Sequence, residues 1–212
     1  VALAVGVNEL RNRFAAKLYH TILFMPYFVS WIVVAYVVYA LVSDRGLFNQ
    51  MAVALGGAKT NYYATPGYWP YLFLAANLWK YTGNGSIIYL ATITGFDQQL
   101  YEAAAIDGAG KWKQFKFITL PQLVPVIVLL QILAIGRIFY GDFDMFYSLP
   151  NGSGPLRQVS TTIDVYVYNM MRGGQQLGYS AAAAFFQSIV GFVLVLGTNL
   201  IVRKIEPDMS LF

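Results

Sequence analysis

Residues 21–42 read TILFMPYFVSWIVVAYVVYALV, and no charged side chain occurs from Thr21 to Val42. A hydrocarbon core of about 30 Å takes about 20 apolar residues of helix to cross. Within lipid a segment must satisfy its own backbone amides, which leaves only helices and closed barrels. The apolar residues here are continuous rather than alternating, so the stretch predicts a membrane-spanning helix. Pro26 sits near its first turn, where a missing N–H does least harm.

The same reading extends along the chain. Pro70–Thr94 is long enough to cross but contains Lys80 and Gly83-Asn84-Gly85. Its apolar ends, Tyr71–Leu78 and Ile87–Ile93, are each too short alone, so one helix weakened near Gly83 is expected. Gln122–Tyr140 follows Pro121, a residue suited to a first helical position. Ala181–Val202 is the last span. Val1–Val7 is apolar with no basic flank and no initiator Met, and reads as the end of a span that begins upstream. The expectation is an all-α polytopic membrane protein, N-terminally truncated, forming a single transmembrane domain over residues 1–212. Its spans are residues 1–7 in part, 21–42, 70–94, 122–140 and 181–202, with a polar loop at 95–121.

Composition agrees. The chain has 212 residues, of which 58% are hydrophobic and only 11% charged, where soluble domains carry about 25%. A net charge of +4 spread along the chain gives no nucleic-acid surface. Cysteine is absent, which excludes disulfides, thiol catalysis and thiolate metal sites.

Basic residues orient the spans. Arg11, Arg13 and Lys17 lie in Asn8–His20, Lys111, Lys113 and Lys116 in Gly95–Pro121, and Arg203-Lys204 follow the last span. The other connections, Ser43–Trp69 and Gly141–Ser180, hold Arg45, Lys59, Arg157 and Arg172. Eight against four places Asn8–His20, Gly95–Pro121 and the C-terminus in the cytoplasm. Ser43–Trp69 reads as irregular, and Ser160–Met171 as a short amphipathic helix ending before Gly173-Gly174.

The stretch Tyr101–Pro121, YEAAAIDGAGKWKQFKFITLP, carries the functional signal. Glu102–Ile106 starts a helix with Asp97 near its N-terminus, Gly108 and Gly110 interrupt it, and Lys111–Phe117 resumes it. Small alanines admit a close partner, and Glu102 offers it a fixed charge. The residues alone equally allow an ordinary interfacial amphipathic loop.

Glu102-Ala103-Ala104, Gly108, Ile118 and Leu120-Pro121 stand at the spacing that marks permease subunits of binding-protein-dependent ABC importers. With Asp107 and Ala109, the stretch resembles the sugar-importer version, and the likeness extends over nearly the whole chain. It looks closest to the complex-polysaccharide and oligosaccharide permeases, related to the maltose importer. The resemblance implies a MetI-like helical bundle whose loop docks on an ATPase subunit. Glu102, Ala103, Ala104, Asp107, Gly108, Ala109 and Gly110 are the positions carried over as the docking element. It further implies a bacterial plasma-membrane location, a second permease subunit, two ATPase subunits, an extracytoplasmic solute-binding protein and a carbohydrate substrate. ATP and Mg would act through the partner ATPase, with no cofactor, metal or catalytic residue in this chain.

Two charges fall inside spans, Lys80 and Arg137, where each is expensive and faces either a pairing group or a polar path. Asn77, Lys80, Tyr81 and Asn84 share one helix face by spacing, and Gln131, Ala134, Arg137 and Ile138 another. The resemblance places sugar contacts of the maltose permease on these two helices, with Asn77 aligned to a contacting Asn. Asn77, Lys80, Tyr81, Gln131 and Arg137 are therefore the candidate substrate path. Gly56-Gly57-Ala58-Lys59-Thr60 lacks the glycine before lysine that a phosphate loop needs. A secondary transporter would need coupling carboxylates within the spans, whereas the acidic residues lie at or beyond span ends. A membrane-embedded enzyme would need polar catalytic clusters, which are absent from the sequence.

Overall fold

A computed structural model describes residues 1–8, 13–173 and 177–205. Among the described residues every regular element is helical. In chain order they are α1 (Ala2–Asn8), α2 (Arg13–Phe24), α3 (Trp31–Val42), α4 (Leu47–Ala54), α5 (Trp69–Thr94), α6 (Gln98–Ile106), α7 (Lys111–Gln114), α8 (Leu120–Gly136), α9 (Phe143–Ser148), α10 (Arg157–Ser160), α11 (Ile163–Arg172) and α12 (Leu177–Ile205). Among the described residues, three helical runs are long and apolar enough to cross a membrane: Trp31–Ala54, Lys111–Gly136 and Gly178–Lys204. Helix α5 is comparably long at 26 residues and carries Lys80.

The chain divides into two compact units. One comprises Val1–Pro26, Tyr81–Arg137 and Gly191–Phe212; the other comprises Tyr27–Lys80 and Ile138–Val190.

In the first unit, α1 packs on the end of α5 and the start of α8. Ala4, Ile93 and Leu123 form its buried centre, flanked by Val5, Tyr89, Phe96 and Ile127. Gly83 meets the end of α2 so closely that a Cβ there would lie 1.9 Å from the Leu23 carbonyl oxygen. The glycine expected to weaken α5 is thus what lets α2 approach it, and the helix runs through unbroken. Gly136 and Gly191 do the same for α8 and α12, a Cβ on Gly191 falling 2.6 Å from the Gly136 carbonyl oxygen.

In the second unit, Trp31, Val34, Val38 and Val42 line the buried side of α3. Trp69 is fully buried, donates its indole N–H to the Tyr62 carbonyl at 2.8 Å, and packs on Tyr63 and Phe73. Phe73 continues the stack to Phe146, with ring centroids 4.7 Å apart. Asn49 on α4 is buried yet satisfied: its amide donates to the carbonyls of Ser43 and Thr60 and accepts from the Thr60 N–H.

Several sequence expectations move. The span read from Thr21 to Val42 is two helices, separated by a 3-10 turn over Met25–Phe28 that contains Pro26. Ser30 then opens α3 as its N-cap, accepting from the Val33 N–H at 3.4 Å. Pro26 has no N–H to donate, so the α-ladder stops there instead of passing through. The helix expected over Gln122–Tyr140 ends at Gly136, with Arg137 as its C-cap, so Ile138 is not on the face assigned to it. Ser43–Trp69, read as irregular, contains α4 and two 3-10 turns. The amphipathic helix expected at Ser160–Met171 begins at Ile163 instead, because Thr162 caps it by accepting from the Val165 N–H. Arg11 and Gly174, which entered the readings of orientation and of that helix's end, lie outside the described residues.

Candidate functional site

The loop between α5 and α8 is built on fixed ends. Ile93 and Phe96 at its start and Leu123 just after it belong to the packed centre of the first unit. Asp97, with extended backbone, caps α6 by accepting from the Gln99 N–H at 2.9 Å. The helix therefore begins where the acidic side chain satisfies an orphan donor.

Its other end is a Schellman turn. The Ala109 N–H reaches back to the Ala104 carbonyl at 2.8 Å, and the Gly108 N–H to the Ala105 carbonyl at 3.1 Å. Gly108 sits at φ +75°, with nothing within 4 Å of where a Cβ would stand. The requirement for glycine is thus conformational and not steric crowding. Gly110 opens α7, and the buried Gln114 amide donates back to the Ala109 carbonyl at 3.1 Å. Phe115–Thr119 is a π-helical turn, a form frequent at functional sites. The Tyr101 and Thr119 hydroxyls lie 2.9 Å apart and join α6 to that turn.

Glu102, Ala103, Asp107, Gly108 and Gly110 are exposed, while Ala104 and Ala109 are half-buried. Beside them Ile106 is 86% and Trp112 74% exposed. Lys116 stands over the Phe117 ring at 5.3 Å. The loop thus presents small residues, one glutamate and large apolar side chains on a braced helix–turn–helix. Exposed apolar surface of this kind marks a contact with a partner or a membrane.

The candidate path residues separate. Asn77 lines a cavity of about 680 Å³ in the second unit, with Phe73, Phe139, Tyr140, Asp142 and Phe146. The Asp142 carboxylate on its wall is fixed, accepting from the Trp31 indole at 2.8 Å and capping α9. The segment carrying Phe139 and Gly141 is held by Gln187 and Asp164: Gln187 donates to the Phe139 carbonyl, and the Gly141 N–H donates to Asp164. Lys80 is buried, donating to the carbonyls of Tyr27 and Val29 and lying 5.3 Å from the Trp31 ring centre. That geometry matches the pairing alternative for this lysine. Tyr81 is half-buried, and Gln131 and Arg137 are exposed, all three in the first unit. Sequence reading missed Asp164 and Gln187, whose partners lie 23 and 48 residues away, and it missed the brace between Tyr101 and Thr119. No local pattern marks such pairs.

Residues 1–210 match the family model described as "Binding-protein-dependent transport system inner membrane component". The chain belongs to this family. It is 38% identical over 209 residues to the polygalacturonan/rhamnogalacturonan transport system permease YteP of Bacillus subtilis, covering 98% of this chain and 64% of that protein. It is 31% identical over 198 residues to the lactose transport system permease LacF of Rhizobium radiobacter, covering 92% and 65%. Among solved structures it superposes, with a TM-score of 0.89 and 30% identity, on a chain of a bacterial ABC transporter involved in the import of the acidic polysaccharide alginate. That match covers 97% of this chain and 71% of the other. The chain therefore spans about two thirds of its relatives' length. The permease fold expected from the Glu-Ala-Ala loop is the one found.

Proposed function

We propose that this chain is the transmembrane permease subunit of an ATP-driven importer that takes a carbohydrate from a solute-binding protein. The observation that carries the reading is the Glu102-Ala103-Ala104 helix, with Glu102 and Ala103 exposed, capped at both ends and closed at Gly108 by a left-handed turn. Such an element transmits force only if it is stiff, and the Tyr101–Thr119 and Gln114–Ala109 bonds supply that stiffness. A second permease, two ATPase subunits and an extracytoplasmic binding protein complete the machine. The ATPases bind ATP and Mg and hydrolyse the nucleotide, and this chain catalyses nothing. Nucleotide shifts the permease between inward- and outward-facing states because it favours one docked geometry of the loop over the other.

The assembly sits in a bacterial plasma membrane with the docking loop and the C-terminus on the cytoplasmic side, as the basic residues indicate. The large apolar side chains left exposed, such as Val33, Val37, Phe192 and Val193, face lipid or the second permease. The carbohydrate assignment draws on the sugar-named relatives and on the cavity around Asn77. An amide beside Phe73, Tyr140 and Phe146 suits hydroxyls and pyranose faces. Glu102→Lys and Gly108→Pro are each expected to abolish ATP-dependent uptake while insertion and subunit assembly persist. Undiminished uptake by both variants would reject the reading.

A further inference from the structure

The second unit holds another cavity, of about 610 Å³, bounded by α3, the turn after α9, and α10–α11. Nothing in the docking or path assignments uses it. Its volume is within the usual range of small-molecule sites, roughly 300–1,000 Å³. Among the described residues its wall contains Arg157 and Arg172 and no carboxylate. Uncompensated positive charge in a concavity attracts an anion and is felt more strongly than on an open surface.

We propose that this cavity is a subsite for a sugar unit bearing an oxyanion, with Arg157 and Arg172 as the groups that bind the charge. The proposal rests on the carbohydrate-importer reading above. Arg172 is pre-positioned: its guanidinium donates to the Tyr147 hydroxyl at 2.9 Å. A guanidinium has five N–H donors, so that contact leaves the others for a ligand. Planar donors of this type match a carboxylate or phosphate in two-point geometry, which a bare charge does not.

The remaining wall fits the body of a sugar. Asn151 and Asn169 line it with amides that pair with hydroxyls in either direction, and Tyr36 and Tyr39 add ring faces. The turn at Asn151-Gly152 is locked in a left-handed conformation, with φ +49° and +71°. The Ser153 hydroxyl fixes it by donating to the Tyr63 carbonyl at 2.7 Å. A wall held this firmly loses little freedom when a ligand arrives. Residues 141–180, which supply most of its wall, are assigned to the extracytoplasmic side. The subsite is therefore placed where solute enters, and it shares Phe146 with the cavity around Asn77.

The test uses the complete importer, reconstituted in phosphatidylcholine nanodiscs without nucleotide. Equilibrium binding is measured for trigalacturonate, galactose 6-phosphate and neutral galactotriose. The wild type should prefer one of the two anionic sugars to galactotriose by roughly tenfold or more, the usual scale of one charge-assisted contact. Which anion it prefers assigns carboxylate or phosphate. Arg157→Gln and Arg172→Gln should each bring that ratio toward one, while Arg172→Lys should retain part of it. Equal affinity for charged and neutral sugars, or variants that change only the association with added phosphatidylglycerol, would overturn the subsite. The importer reading is tested separately by ATP-dependent uptake of galactotriose with its binding protein. Uptake with no charge preference removes the subsite alone. Absence of uptake for every sugar removes both.

Discussion

The phenolic oxygen of Tyr101 lies 2.9 Å from the hydroxyl of Thr119, so the helix carrying Glu102 is bonded near its middle to the last turn before α8. A docking element loaded by an ATPase must not fold away under that load. This bond spans the loop from its first helix to its last turn.

Tyr101→Phe and Thr119→Val each remove the bond while keeping most of the volume. A neutral hydrogen bond contributes about 0.5–1.5 kcal/mol net, so the loop should remain folded. Coupling is expected to loosen, with ATP hydrolysed per sugar transported rising roughly two- to fivefold for a loss of about 1 kcal/mol. Thr119→Ser should restore the wild-type ratio. An unchanged ratio in both deletions would show that the brace carries no load.

Gly108 separates conformation from crowding. Nothing lies within 4 Å of a Cβ at this position, yet φ is +75°. Alanine there should cost about 1–2 kcal/mol, the penalty of the left-handed region. Asparagine, which tolerates that region, should cost less. ATPase retention during purification should be greatest in the wild type, lower in Gly108→Asn and lowest in Gly108→Ala. Equal retention in all three would remove the conformational role.

Gly83 and Gly85 make the opposite comparison two residues apart. A Cβ at Gly83 would overlap the Leu23 carbonyl oxygen, whereas at Gly85 nothing lies within 4 Å. Gly83→Ala is therefore expected to destabilise by about 1–3 kcal/mol, as overpacking does. Gly85→Ala should be neutral or stabilising by up to about 1 kcal/mol from helix propensity. Thermal unfolding of the purified importer in detergent distinguishes the two. Similar shifts for both would contradict the close helix approach.

Tyr63 provides a pH signature. Burial, with a smaller contribution from Tyr39, raises its phenol from 10.0 to about 12. The folded state thus holds this proton more tightly than the unfolded chain does. Its stability contribution is complete below pH 10 and is lost as pH rises toward 12. Tyr63→Phe should lose less thermal stability than the wild type between about pH 9 and pH 11.5. Parallel loss in the two proteins would count against a half-buried, neutral phenol.

What the sequence disclosed followed from local physics. Asp97, the alanines after Glu102, and Gly108 each act within a few residues, and the caps they make lie where spacing placed them. The membrane character was legible because apolar runs of span length have few soluble explanations. Hydropathy concealed the break at Met25–Ser30, since Pro26 removes a hydrogen bond without lowering apolarity. It also could not separate Lys80, held by the Tyr27 and Val29 carbonyls, from Asn77, which faces a cavity. Both share one face by spacing. Contacts across 51 to 53 residues distinguish them, and spacing carries no record of those.

On the proposed reading, the stretch around Glu102 is gripped from the cytoplasm by the ATPase. The chain has no cysteine, so an Ala103→Cys substitution at this exposed position introduces its single thiol. A membrane-impermeant maleimide should label it in inverted vesicles stripped of ATPase and not in right-side-out vesicles. Restoring the ATPase should suppress the labelling. Labelling from the outside, or equal labelling with and without the ATPase, would overturn cytoplasmic docking.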